Sequence, residues 1–133
     1  MSRSAGGILL ALCVGLCAAG AWAAGEKEWP QRVPEKDRQR VNPLRGQADA
    51  AVAGAKLYAQ HCAKCHGENL EGNGSRPSLR SETVQQATDG ELFWMLKNGD
   101  LLHGMPSWSS LPEPARWQII AFLKDANSSG KTK

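Results

Sequence analysis

Five consecutive residues, Cys62-Ala63-Lys64-Cys65-His66, limit what this chain can become more than any other feature. Two thiols three positions apart stand on the same side of a helical turn, and the imidazole that follows is presented from that side too. Three kinds of chemistry use such a pair. A redox disulfide of the thioredoxin kind needs strands and a βαβ unit, and no stretch here alternates apolar and polar residues as a strand does. A structural zinc site needs four ligands, and no second pair completes one. The third is a covalent tether, in which each sulfur closes a thioether on a vinyl group of a haem and the imidazole binds its iron.

The other two cysteines, Cys13 and Cys17, fall in a segment of different character. Arg3 gives a short positive start, Ile8 to Cys17 is an apolar run, and Ala21-Trp22-Ala23 fits the small-x-small rule for leader cleavage. Residues 1–24 are therefore expected to be a secretory signal peptide cut near Ala23 or Ala24, so that Cys62 and Cys65 are the thiols left in the exported chain. The run is short for a membrane span of ~20 residues. Both of its cysteines follow Leu, where a lipoprotein signal needs a small residue. No second apolar span follows, so no stable membrane span is expected in the mature chain, and the expected location is the periplasm. With 16 Lys and Arg against 13 Asp and Glu and no basic block, the composition argues against nucleic acid as a partner.

Residues 25–46 are rich in charge, Pro and Gln and poor in apolar side chains, and read as an extended arm that Trp29, Val33 and Leu44 can pin to the body. Residues 47–126 read as the folded domain. Apolar spacing predicts a helix over Asp49–Gln60, with Ala51, Ala55, Leu57 and Tyr58 inward and Gly54 as a flat spot for close helix contact. A Gly-rich loop follows from Gly67 to Ser81. A second helix is expected from Asp89, a good N-cap residue, to Lys97, stopped by Asn98-Gly99. A third starts near Pro112 and runs through Trp117, Ile120 and Leu123 to about Asp125. Residues 127–133 read as a polar tail. The fold class is all-α, three to four short helices and long loops. So few apolar residues make a poor core at this size, and a buried haem would supply the missing bulk.

An iron held by His66 needs a sixth ligand or an open position. Met105 is followed by Pro106, which disfavours helix at Met105 and pushes it into extended backbone. A loop Met can turn its thioether onto iron from the far side; its other reading is a core filler. His103, two residues earlier, is the rival and would give two imidazoles. Met95 sits at helical spacing within Leu92–Leu96 and reads as core. His61 adjoins Cys62 and reads as a surface or hydrogen-bonding residue. Leu79, Leu92, Trp94, Leu101, Leu102 and Trp108 are candidate pocket walls. Lys56, Lys64, Lys97 and Lys124 are candidates to ring an exposed haem edge and steer an acidic partner.

From about Ala48 to Lys124 the chain resembles the mono-haem class I cytochromes c of bacteria. The resemblance rests on Gly54-Ala55-Lys56-Leu57-Tyr58 before His61-Cys62-Ala63-Lys64-Cys65-His66-Gly67. It continues through Gly72-Asn73-Gly74, Pro77-Ser78-Leu79, Gly104-Met105-Pro106 and Trp117 to Leu123. It implies the cytochrome c fold around one covalent haem c. Within that fold it implies a crossing of the first and last helices with Gly54 against Phe122, and a Pro77 carbonyl that takes the second ring proton of His66. It also points to Met105 as the distal ligand. With both axial positions filled, the implied act is one-electron exchange by a carrier rather than an enzyme. The implied partners are redox proteins such as an exported dehydrogenase or a terminal oxidase. An open or switchable sixth position would instead make a small peroxidase-like enzyme or a haem redox sensor, with the arm as its docking element.

Overall fold

The computed structural model describes residues 28–129, and among these the chain is helical with no strand. In chain order the helices are α1 (Glu35–Arg38), α2 (Ala48–His61), α3 (Ala63–His66), α4 (Glu82–Gln86), α5 (Asp89–Asn98) and α6 (Glu113–Ser129). Single 3-10 turns cover Trp29–Arg32 and Leu101–His103. The architecture is all-α. The expected leader, residues 1–24, and the end of the polar tail lie outside the described residues.

The frame is the crossing of α2 and α6, which a missing side chain makes possible. A Cβ placed on Gly54 would lie 1.9 Å from the carbonyl oxygen of Gln118 and 3.0 Å from Cβ of Phe122. Only glycine lets the two backbones approach this closely. One turn along, the rings of Tyr58 and Phe122 pack with centroids 5.3 Å apart. α5 closes the core from the side, stacking Phe93 on Trp117 at 4.0 Å. Phe93, Leu70, Ile119 and Ile120 are the largest fully buried side chains.

α5 begins one residue away from the expected cap. The N-cap is Thr88, whose hydroxyl accepts from Glu91 N at 3.1 Å while Glu91 Oε2 accepts from Thr88 N at 2.6 Å. This reciprocal pair satisfies two amides that the helix leaves unpartnered. Asp89 is buried instead, and its Oδ2 accepts from Asn42 N at 3.0 Å and from Arg45 Nη2 at 2.6 Å. Gly99, with φ +69°, ends the helix as expected. α6 runs past the expected end near Asp125: Asn127 is buried and its Nδ2 donates to Leu79 O at 3.3 Å.

Where the sequence reads as an extended arm, residues 28–46 fold in part into the first 3-10 turn and α1, and they lie against α5 and α6. Val33 and Asn42 are buried, and Asn42 Nδ2 donates to Trp117 O at 2.9 Å. Arg38 pairs with Glu91, Arg40 with Glu113 at 2.6 Å, and Arg45 with Asp89. The Arg40 guanidinium also lies 4.2 Å from the centre of the Phe93 ring, a contact that stacking cations on aromatics favours.

Candidate functional site

The helical turn that carries the two thiols is a direct continuation of α2. Cys62 N donates to Tyr58 O at 2.8 Å, closing α2, and Cys62 O then accepts from Cys65 N and His66 N to start α3. Gly67, at φ +81°, ends this turn. Tyr58 OH donates to Gly67 O at 2.6 Å, pinning the backbone just beyond His66. Burial, helped by the neighbouring Cys62, pushes the Tyr58 phenol up to about 12, so it remains a donor at any ordinary pH.

Cys62, Cys65 and His66 all face one apolar cleft. Cys62 is buried and Cys65 exposed. Burial first, then the nearby Cys65, pushes the Cys62 thiol up to about 11. A thiol held protonated in this way is a poor redox nucleophile, which weighs against thioredoxin-type chemistry. Among the described residues, no group of three or more His, Cys, Asp or Glu side chains gathers to hold a metal ion by itself.

His66 Nδ1 lies 2.9 Å from Pro77 O. A carbonyl can only accept, so Nδ1 carries the proton and Nε2 is the nitrogen left with a lone pair. The loop from Gly67 to Ser81 is built to bring Pro77 there. Gly72 N donates to His66 O at 2.7 Å, and Leu79 N donates to Leu70 O at 2.9 Å. Leu70, 1% exposed, is the non-glycine residue with positive φ (67°) among those described, a conformation held in place by its burial.

Met105 lines the same cleft from the loop after α5. Asp100 and Met105 exchange both backbone hydrogen bonds, at 2.8 and 2.9 Å, so residues 100–105 form a closed turn. Gly99 lets this turn fold back: a Cβ there would lie 2.7 Å from Met105 O and 2.6 Å from Ser107 N. Trp108 N donates to Leu96 O at 2.8 Å, and Ser107 Oγ to Lys97 O at 2.6 Å, fixing the chain after Met105 to α5. Arg76, adjacent to Pro77, donates from Nη1 to His103 O at 2.8 Å and so joins the two loops.

The cleft brings together Cys62, Cys65, His66, Pro77 and Met105. His103 also borders it, but its Nδ1 donates to Asp100 Oδ2 at 2.9 Å and its side chain is 63% exposed. Met95 borders the cleft as well, rather than only packing the core. His61 lies against Trp108, ring centres 5.3 Å apart. Leu79, Leu92 and Trp108 are walls as expected; Trp94 is not, and Leu101 and Leu102 are 77% and 84% exposed on the outside of their 3-10 turn. Lys124 does not frame the cleft: its Nζ donates to Ala87 O and Gln85 O and ties α6 to the end of α4. Lys56 borders a separate groove with Asp49 and Gln118. Sequence reasoning missed Arg76 and Trp29 as cleft residues, since no periodic pattern around either marks it as facing the cleft.

A haem fits these residues. Two thiols, an imidazole whose Nε2 makes no hydrogen bond and a thioether sulfur line one cleft, together with the aliphatic side chains of Leu92, Leu96 and Leu123. An imidazole nitrogen and a thioether sulfur are a donor pair that electron-transfer haems use. This fold and donor set define a c-type cytochrome domain, which transfers electrons through haem.

The chain belongs to the family described as cytochrome c oxidase, cbb3-type, subunit III, which matches residues 49–123. It is similar to the cbb3-type cytochrome c oxidase subunit FixP of Bradyrhizobium sp. (strain ORS 278), 33% identical over 92 residues, covering 67% of this chain and 31% of that protein. It is also similar to the quinohemoprotein alcohol dehydrogenase ADH-IIG of Pseudomonas putida, 31% identical over 102 residues, covering 74% of this chain and 14% of that one. The chain thus spans under a third of the length of either relative. Among the described residues, no helix is long and apolar enough to cross a membrane.

Proposed function

We propose that this chain is a periplasmic single-haem cytochrome that passes electrons one at a time between redox proteins. In this reading Cys62 and Cys65 would hold one haem c as thioethers, and His66 Nε2 and Met105 Sδ would be the ligands of its iron. The observation that supports the reading is the 2.9 Å bond from His66 Nδ1 to Pro77 O, which leaves Nε2 as the free ring nitrogen of a residue lining the same cleft as Met105. A fixed acceptor on the second ring nitrogen is what orients a metal-bound histidine. When bound, the haem supplies a one-electron Fe(III)/Fe(II) couple. The chain's own residues do the rest. His66 and Met105 would together leave the iron no open position for oxygen or peroxide, and Leu92, Leu96 and Leu123 give the cleft an aliphatic lining.

One relative is named as a subunit of an oxidase and the other as a dehydrogenase. Both names support a redox partner of one of those two classes, an acceptor in the first case and a donor in the second. The apolar run at Ile8–Cys17 with Ala21-Trp22-Ala23 supports export with cleavage near Ala23 or Ala24, and attachment of haem c then takes place outside the cytoplasm.

Two measurements on the exported protein test this. Its intact mass is expected to equal the chain without its leader plus one haem. Its oxidised spectrum is expected to show the weak near-infrared band of sulfur bound to ferric iron. Met105→Ala is expected to abolish that band and lower the reduction potential, because a thioether ligand favours the ferrous state. A colourless protein whose two thiols alkylate freely would end the proposal; an unchanged band in Met105→Ala would end the ligand assignment.

A further inference from the structure

The family match begins at residue 49, yet a polar chain crosses from the segment before it to the turn that carries Met105. Arg32 Nη2 donates to Asp100 Oδ2 at 2.8 Å, and His103 Nδ1 donates to the same oxygen at 2.9 Å. Asp100 in turn exchanges both backbone hydrogen bonds with Met105. The side chains of Asp100 and Arg32 are 13% and 30% exposed, so the pair works in a partly dry setting where a charged hydrogen bond is worth more than on the surface. Arg32 itself is fixed by the first 3-10 turn, whose Trp29 borders the cleft.

We propose that Arg32 and Asp100 are positioning residues for the Met105 sulfur: the ion pair holds the 100–105 turn closed, and through it the N-terminal segment governs how firmly the distal ligand stays in place. The inference rests on Met105 as that ligand. A thioether carries no charge, and ferric iron prefers harder donors, so sulfur ligation depends on how well the loop is held. Among the described residues the Asp100 carboxylate has two partners, Arg32 from outside the turn and His103 from within it. Only Arg32 therefore connects the turn to a separate element through this side chain. The same carboxylate keeps His103, two residues from Met105, engaged at its Nδ1.

The test uses the exported, haem-loaded chain. Its ferric form is titrated with imidazole, which must displace Met105 to bind iron. Arg32→Gln and Asp100→Asn are each expected to bind imidazole about tenfold more tightly, the shift that losing one charged hydrogen bond produces. Arg32→Lys is expected to recover most of the difference. Arg45→Gln, which breaks another ion pair of the same segment, is expected to lower the melting temperature and leave imidazole affinity at the parent value. The proposal is overturned if Arg32→Gln melts lower but binds imidazole like the parent, or if Arg45→Gln shifts the affinity equally. If Asp100→Asn does not fold, Arg32→Gln against Arg32→Lys decides alone. A parent without the near-infrared sulfur band overturns the ligand assignment itself, an outcome read before any variant is made.

Discussion

A single side chain in this protein often serves a partner dozens of positions away. Glu113 is one such residue. Its Oε1 accepts from Trp117 Nε1 at 3.2 Å and from Arg40 Nη2 at 2.6 Å. The Trp117 bond first, then the Arg40 guanidinium, hold its carboxyl below the usual carboxylate value. A carboxyl depressed on folding stabilises the native state above its unfolded value of about 4.3, and that contribution fades as pH falls through the folded value. The side chain is half exposed, so solvent screens the effect. Glu113→Gln is therefore expected to melt a few degrees lower at most at neutral pH. Thermal melts of the two proteins should converge as the pH is taken down through the carboxylate range; a gap that persists in acid would show that charge has no part in it.

At the scale of elements, the α2–α6 crossing decides the fold. Gly54→Ala puts a methyl where the Gln118 carbonyl already is, 1.9 Å away. Backbone cannot swing aside as a long side chain can, so the helices must separate. Overpacking of this kind costs about 1–3 kcal/mol, which for a domain of this size is roughly 5–20 °C in melting temperature. Thermal unfolding of the haem-loaded variant measures it, and a melting point equal to the parent's would mean that the crossing is looser than its geometry implies. Because Cys62 and His66 follow the end of α2 without a break, the same variant also tilts the thiol-bearing turn. The near-infrared band that the proposed Met105 ligand would give is a second, more local readout.

The whole molecule depends on the segment before the family match. Residues 28–46 supply the cationic partners of Asp89 and Glu91, both buried on α5, and Arg40 covers the Phe93–Trp117 stack. Deleting the segment removes these partners and the packing of buried Val33 and Asn42 together, and opens the apolar surface of α5 and α6 that it covers. A chain lacking residues 28–46 is therefore expected to melt about 5–15 °C lower, even with its haem in place. Unchanged melting with lost binding to a redox partner would instead make the segment a docking arm. This expectation differs in kind from the Arg32 titration: here the fold as a whole is weakened, there the hold on one ligand.

The sequence by itself determined the helical frame and the turn of thiols and imidazole that follows α2. The 3.6-residue spacing marked α2, α5 and α6. The pair Cys62 and Cys65 with His66 carried its own geometry within one helical turn, and Gly54 already called for a close crossing. These features are local, so adjacent residues suffice to specify them. Only the tertiary structure decided the rest. It placed the cap at Thr88 and freed Asp89 to receive Arg45, turned Leu101 and Leu102 outward, drew Arg76 and Trp29 to the cleft, and folded a charged segment onto α5. Each of these is a contact between residues remote in the chain. Neither partner's neighbours carry any trace of it, because an ion pair or a single buried amide needs no periodic pattern, only a place that the packing of the helices has already made.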